Sequence, residues 1–268
     1  MYLQGALWHK NAQKIIGAIN GLPVTDWSNR KIVVAFSGGM DSLFLLLALR
    51  ELQKKYGYTL FPVHIDHGFL KEDRLYGDLA KIVAGKIGLN CRLKKAKKIF
   101  GHSNLEEQMR TARYQQLEIF RQSQKADYIA VAHHSNDQAE TVLANLIRGC
   151  GVEGLVGMSQ LSGRIFRPLL KIPKREIRSM ILETEFPYYE DKLNYSQNGR
   201  RNQLRKIILP LFESVTGVSL VGRLLALSEN MADLADSLVF EERQIEGKID
   251  FVEIEPAIFT FSREEFMK

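Results

Sequence analysis

Residues 31–55 read KIVVAFSGGMDSLFLLLALRELQKK: a short apolar run, a glycine-centred loop, then a long apolar stretch. The run at 31–36 reads as a buried strand and 43–55 as a helix. Gly38 and Gly39 let backbone N–H groups approach a ligand without obstruction from Cβ. The helix beginning near Asp41 or Ser42 would aim its free N–H groups and positive dipole end at the same point. Ser37 and Ser42 add hydroxyls. The arrangement is a cradle for phosphate. It is not a Walker A loop, since GxxxxGK[ST] is absent, and it is not GxGxxG. A carboxylate at Asp41 beside phosphates makes sense when it holds Mg²⁺ between itself and them. A plain glycine turn with an aspartate cap is the alternative.

On either side of this unit, apolar runs alternate with amphipathic stretches. Strands are expected at 59–65, 91–95 and 128–132, and helices at 73–87, 104–121 and 137–148. Such alternation implies βαβ units and a parallel sheet covered on both faces, with ligands at the carboxyl ends of the strands. Further on, 173–185 and 201–212 read as helical, 186–199 as a polar loop, and 220–245 as a long amphipathic stretch. The boundary is placed near Gly217, giving residues 1–216 as the catalytic domain. Residues 217–268 form a small helical region, too short for a confident independent core.

At 268 residues, with 45% hydrophobic and 25% charged residues, the composition is that of a globular protein and excludes disordered or collagen-like classes. The longest apolar run, 43–49, falls short of the roughly 18 residues of a membrane helix, and the start has no secretory signal pattern. Two cysteines, Cys91 and Cys150, make no disulfide framework, so a reducing cytoplasm and no membrane are expected. The net charge is +6. The basic residues cluster: Arg92, Lys94, Lys95, Lys97 and Lys98; then Lys171, Lys174, Arg175 and Arg178; then Arg200, Arg201, Arg205 and Lys206. Such clusters point to a polyanion or are plain solvated faces.

Three further patterns bear chemistry. HIDHG (64–68) follows the second strand. NLEEQMRTARY (104–114) sets Arg110 and Arg113 on one helix face, suited to phosphate. AHHSNDQAETVLANLIRGCGVEGLVGM (132–158) puts His133, Asp137 and Glu140 near a strand's carboxyl end, with Asp137 and Glu140 on one helix face. Two carboxylates there suit a substrate ammonium. A metal centre drawn from His64, Asp66, His67, His133, His134 and Asp137 is the lesser alternative.

SGGMDS (37–42) resembles the pyrophosphate-binding loop of the N-type ATP pyrophosphatases, the PP-loop superfamily. With RPLLK (167–171) and DKLNYSQNGRRNQLRKIILP (191–210), the whole pattern over roughly 31–212 resembles the tRNA(Ile)-lysidine synthetase family. The resemblance implies an adenine-nucleotide-hydrolase-like α/β domain. It implies a C–N ligase that uses ATP and Mg²⁺ to adenylate the C2 oxygen of the wobble cytidine in a CAU-anticodon tRNA(Ile). The ε-amine of free L-lysine then displaces AMP. By motif position, Ser37, Gly38, Gly39, Asp41 and Ser42 hold pyrophosphate and Mg²⁺, and Phe36, His64 and Ile65 border adenosine. Arg113 and His133 attend the α-phosphate. Asp137 and Glu140 meet lysine, with Asn194 and Arg205 closing over it.

Phe69 and Leu70 depart from the family's usual Leu-Arg pair, and DKLN alters its Asp-Asn loop. Only about 50 residues follow Gly217, where many members carry two more domains. A shortened tRNA-binding unit and a dimerisation unit are both open readings of that region, so a homodimer is among the expected partners. A PP-loop tRNA thiolase and a non-catalytic tRNA-binding relative are the alternatives.

Overall fold

A computed structural model describes residues 2–22, 24, 26–66, 68, 73–96, 105–189, 203–246, 252–254 and 258–260. Strand β1 (Lys31–Ala35) lies at the centre of a six-stranded sheet, with β2 (Thr59–Asp66) and β3 (Arg92–Lys95) to one side. On its other side come β4 (Tyr128–Ala130) and an edge hairpin of β5 (Leu161–Ser162) and β6 (Ile165–Phe166). The order is β3-β2-β1-β4-β6-β5, and every pairing is parallel except β5 with β6. The chain runs outward from β1 through β2 and β3, then returns to pair β4 on the opposite side. That reversal makes a crevice between the carboxyl ends of β1 and β4, where ligands of such sheets bind.

Strand alternation divides the core in two. Ile32, Val34 and Phe36 join the larger cluster with Leu43–Leu49 of helix α2 (Met40–Tyr56). Helix α1 (Gly5–Asn20), through Trp8, Ile15 and Ile19, and α7 (Lys174–Leu182), through Ile177, Met180 and Ile181, close the same cluster. Every residue from Leu43 to Leu49 is 0% exposed, because α2 is enclosed by the sheet on one side and by α1 and α7 on the other. At about 1.5–3 kcal/mol per buried aliphatic side chain, this helix anchors the glycine loop before it. Val33, Val63, Ile129 and Val131 face the other way, onto Leu117 and Phe120 of α4 (Leu105–Gln124).

Helix α2 starts three residues before its apolar run. Leu43 N–H already donates to Gly39 O at 2.9 Å, so the loop and the first helical turn are one structure. Gly57, at φ +75, stops the helix, its N–H capping Gln53 O. Helix α3 (Asp73–Lys86) covers the β2–β3 side, and α5 (Ser135–Arg148) leads from β4 to the short α6 (Val152–Val156).

The expected helix at 201–212 departs from regular form. A π-helical turn, Leu204–Ile208, runs into α8 (Leu209–Thr216). Pro210 has no N–H to give Lys206 O, and its ring crowds that carbonyl. The turn widens, and Leu209 N–H reaches back to Leu204 O. Helix α9 (Leu220–Glu246) packs through Leu224 on Ala139, Val142 and Leu209, and a two-strand hairpin, β7 (Val252–Ile254) with β8 (Ile258–Thr260), follows. Among the described residues no single helix is long and apolar enough to cross a membrane.

Two of the basic groups prove partly committed inside the fold. Arg92, Lys94 and Lys95 line an exposed edge strand. Lys171, however, pairs with Glu229 at 2.8 Å, and Lys174 and Arg205 turn onto carboxylates. Lys97, Lys98, Arg200 and Arg201 lie outside the described residues.

Candidate active site

The glycine loop leaves β1 at the crevice. Ser37 Oγ lies 3.0 Å from Ser42 Oγ and accepts the Gly39 N–H at 3.3 Å, while Ser42 Oγ donates to Gly39 O at 2.9 Å. Gly38 sits at φ +89, a region that L side chains avoid. Tyr189 crosses above it: its N–H donates to Gly38 O at 3.2 Å, and its ring stacks on Tyr76 of α3 with centroids 3.7 Å apart. A methyl on Gly38 would lie 2.8 Å from Tyr189 Cε1. Gly38→Ala is therefore expected to destabilise the fold by about 1–2 kcal/mol through left-handed strain alone, with the ring clash added. Thermal denaturation checks this. An unchanged Tm would mean that Tyr189 is not seated on the loop.

At the end of β4 the chain passes through His133 and His134 into α5. Parity sends the two imidazoles apart. His133 turns towards the α4 side, where Arg110, Arg113 and Arg167 face it. Burial pushes its pKa down to about 4, and those three cations add to the effect against the pull of Asp137. His133 is therefore neutral at pH 7. Arg110 and Arg113 both lie against the Tyr114 ring, at 5.3 and 5.8 Å. Arg167 is buried, holding Ser159 O at 2.8 Å through Nη1 while its Nε has no partner among the described residues.

His134 turns the other way and is 2% exposed. Its Nε2 lies 3.6 Å from Asp41 Oδ2 and its Nδ1 3.3 Å from Asp137 Oδ2. Its backbone N–H donates to Asp137 Oδ2 at 3.0 Å, capping α5. Lys174 Nζ lies 3.3 Å from Asp41 Oδ2. Arg205, from the π-helical turn, forks onto Glu140, with Nε 2.6 Å from Oε1 and Nη2 3.0 Å from Oε2, and reaches Asp137 Oδ1 at 3.1 Å. A chain of alternating charge thus joins Lys174, Asp41, His134, Asp137, Arg205 and Glu140 across the crevice.

The electrostatics follow from that chain. Burial, the largest single influence, raises Asp41 and Asp137; His134 and Lys174 together outweigh it at Asp41, and His134, His133 and Arg205 together at Asp137, so both carboxylates end below their ordinary range. Burial alone lowers His134, and Asp137 and Asp41 overcome it, so its pKa is raised. Glu140, 3% exposed, is held above its ordinary value by burial despite Arg205. Arg205 is raised: burial opposes its charge, and Glu140 and Asp137 more than offset that.

A second layer holds α5 in place. Buried Gln138 takes the Met158 N–H on Oε1 and gives Nε2 to Val156 O and to Ser228 Oγ of α9. Ser135 N–H donates to Ile172 O, and Asn136 Oδ1 accepts the Lys174 N–H, tying the start of α5 to that of α7.

The structure thus brings Ser37, Gly38, Gly39, Asp41 and Ser42 together at one end of the crevice, and Asp137, Glu140 and Arg205 at the other. Arg113 and His133 stand on the α4 side. Phe36 and His64 place their side chains in the core on the α2 face, a ring N–H of His64 donating to Phe36 O at 3.1 Å. Ile65 faces α4 instead. Asn194 lies outside the described residues. His134, read from the sequence only as a candidate metal ligand, and Lys174, read only as part of a basic cluster, both belong to the site.

Asp41 Oδ1 is buried and has no hydrogen-bond partner among the described residues. A free carboxylate oxygen beside an anion cradle is what a hard cation such as Mg²⁺ accepts. Among the described residues no group of three or more His, Cys, Asp or Glu gathers to hold a metal.

Residues 10–212 match the PP-loop domain family, and the chain belongs to that family of ATP-binding domains. Among curated proteins, it is 33% identical over 231 residues to a tRNA(Ile)-lysidine synthase of Thermosipho africanus, covering 83% of this chain and 54% of the relative. It is 34% identical over 244 residues to the enzyme of that name from Caldanaerobacter subterraneus, covering 83% of this chain and 47% of the relative. The chain spans about half the length of the curated relatives it matches. Among solved structures, the U34-tRNA thiolase NcsA from Methanococcus maripaludis superposes with a TM-score of 0.69 at 21% identity, over 84% of this chain and 79% of that one, a likeness of fold.

Proposed function

We propose that this chain is the catalytic part of a tRNA(Ile)-lysidine synthase, a cytoplasmic ligase forming a carbon–nitrogen bond. The observation that carries the reading is the pairing, across one crevice, of an anion-cradling loop with two carboxylates forked by an arginine. Activating an oxygen with ATP needs the first, and delivering an amine needs the second. Residues 1–216 would be the catalytic domain, with 217–268 part of a tRNA-binding or dimerisation region.

In this reading the Ser37–Ser42 loop and the start of α2 hold the β- and γ-phosphates. Mg²⁺, bound at Asp41, would neutralise phosphate charge. The C2 oxygen of the wobble cytidine in a CAU-anticodon tRNA(Ile) attacks the α-phosphorus, and pyrophosphate leaves. Arg113 stabilises charge at that phosphorus, and His133, being neutral, presents a polar ring there without a second positive charge.

Free lysine then docks its ε-ammonium on Asp137, which is ionised at neutral pH. The nitrogen must attack as a neutral amine, so the ammonium first gives one proton to solvent water. Its bond to C2 forms as the bond from C2 to the adenylated oxygen breaks, and AMP leaves. The nitrogen of the cationic adduct is far more acidic than a free ammonium, so even a carboxylate of low pKa accepts its proton. Glu140 and Arg205 hold Asp137 in place, and Asn194 is assigned to the closing segment.

The thiolase reading is less favoured. Burial pushes the Cys91 thiol up to about 12, far from a reactive thiolate, and the chain has no CxxC.

The test is transfer of radiolabelled lysine to a CAU-anticodon tRNA(Ile) transcript with ATP and Mg²⁺. A transcript with uridine at the wobble position is the control. Label on the first and not the second is expected. No label on either, with ATP binding intact, would overturn the assignment.

A further inference from the structure

Four of the six groups in the alternating chain have a role in the reaction just described, and Lys174 balances Asp41 from outside. His134 has no role yet, and it occupies the one point that joins the two halves. Asp41 rides on the first turn of α2, after β1. Asp137 rides on the first turn of α5, after β4. These are separate helices, and both carboxylates are ionised in the same crevice, so by themselves they repel. One imidazole sits between them, with Nε2 3.6 Å from Asp41 Oδ2 and Nδ1 3.3 Å from Asp137 Oδ2. It is nearly sealed from solvent and cannot swing into water. A buried histidine that serves packing alone satisfies a nitrogen on a backbone carbonyl, as His64 does on Phe36 O. His134 instead sets its nitrogens within 3.6 Å and 3.3 Å of two functional carboxylates, Nδ1 making no hydrogen bond among the described residues.

We propose that His134 is a positioning residue for lysine transfer: its imidazole fixes the glycine-loop carboxylate and the amine-binding carboxylate relative to one another. The inference rests on the lysidine-forming reading above. The adenylated oxygen is delivered by the half of the site that Asp41 anchors, and the amine by the half that Asp137 anchors. Each half binds its own ligand without the imidazole. Only their mutual alignment needs it, and a misplacement of about 1 Å between reacting groups costs on the order of 100-fold in rate.

One half of the capping box of α5, the Asp137 carboxylate on the backbone N–H of residue 134, does not involve this side chain; the other half faces the His134 ring towards the Asp137 N–H. Side-chain variants therefore keep the first half, and the thermal melt reports what loss of the second costs. The experiment compares His134→Leu, which keeps bulk and loses both nitrogens, with His134→Gln, which keeps a polar end able to meet a carboxylate. Full-length chains are assayed for lysine transfer to the CAU transcript, with kcat and the KM values for ATP and lysine measured separately, alongside a thermal melt.

The expected result for His134→Leu is a fall in kcat of about 100-fold, with both KM values within about threefold of normal. His134→Gln is expected to recover at least tenfold of that loss. Three outcomes would overturn the proposal: normal kcat in the leucine variant, equal loss in both variants, or a melt showing that both fail to fold. The last would make the residue purely structural. Absence of label with the unsubstituted chain would overturn the lysidine reading itself, and this inference with it.

Discussion

Asp137→Asn is expected to leave ATP binding within a few-fold of normal and to cut lysine transfer by about 10²–10⁴. The substitution is nearly isosteric. The asparagine oxygen can still accept the His134 N–H that Asp137 Oδ2 accepts at 3.0 Å, so the cap of α5 survives. Arg205 keeps both of its bonds to Glu140, and Gln138 keeps α5 tied to α9. The nucleotide end, from Ser37 to Ser42, is untouched. What disappears is the negative charge that orients the ammonium and takes the proton from the adduct. Calorimetry of ATP binding alongside labelled-lysine transfer checks both halves of the statement. Near-normal transfer would show that Asp137 is not the partner of the amine. A parallel loss of ATP binding would show that the two ends of the crevice cannot be perturbed separately.

The strand–loop–helix unit at 31–55 was legible because its signals agree: a bounded β-branched run, two glycines, then an apolar stretch too long for a strand. Its boundary was less so. The helix begins at Met40 because its first N–H groups belong to the loop, and hydropathy carries no trace of that. Helix α1 is absent from the element order read from the sequence, although Trp8, Ala12, Ile15 and Ile19 repeat at helical spacing. It has no capping side chain to announce it. The edge hairpin of β5 and β6 has two residues per strand, too few for any period to register. The π turn at Leu204–Ile208 was signalled by Pro210, but only a three-dimensional helix shows which carbonyl the missing N–H leaves stranded.

In the site, residue types were easier to find than their directions. Asp137 and Glu140 share a face by i, i+3 spacing, and the structure puts them on one arginine. The two adjacent histidines are different. Strand parity, with Ile129 and Val131 facing α4 and Ala130 facing α2, sends His133 to the arginines and His134 to Asp41. The same parity separates His64 from Ile65. That rule was available in the sequence. The partners at the far end of each vector were not, because Lys174 and Arg205 come from segments 133 and 68 residues away from the carboxylates they meet. Their charge was visible only as part of basic clusters.

Arg205→Ala is expected to be the most damaging single change for stability. Glu140 is 3% exposed, and its two oxygens are forked by this guanidinium. Removing one partner of a buried pair leaves a charge without compensation, at a cost of about 3–5 kcal/mol. Arg205 is itself partly exposed, so the lower end applies, and Tm should fall on the order of 10 °C. The pH dependence has a definite sign. Without Arg205, the Glu140 pKa in the folded state rises further above its unfolded value of 4.5. A group raised in this way stabilises the fold below its unfolded pKa and loses that contribution as pH climbs through the folded one. The deficit of the variant should therefore be smallest near pH 4.5 and grow towards neutrality. Glu140→Gln in the same chain removes the stranded charge and should restore most of the lost Tm. It should not restore lysine transfer, because Asp137 is still without the guanidinium that holds Oδ1 at 3.1 Å. Melting curves at several pH values, with the transfer assay on the single and double variants, separate the two roles. A double variant that stays as unstable as Arg205→Ala would mean that the arginine acts through packing of the π turn rather than through the charge on Glu140.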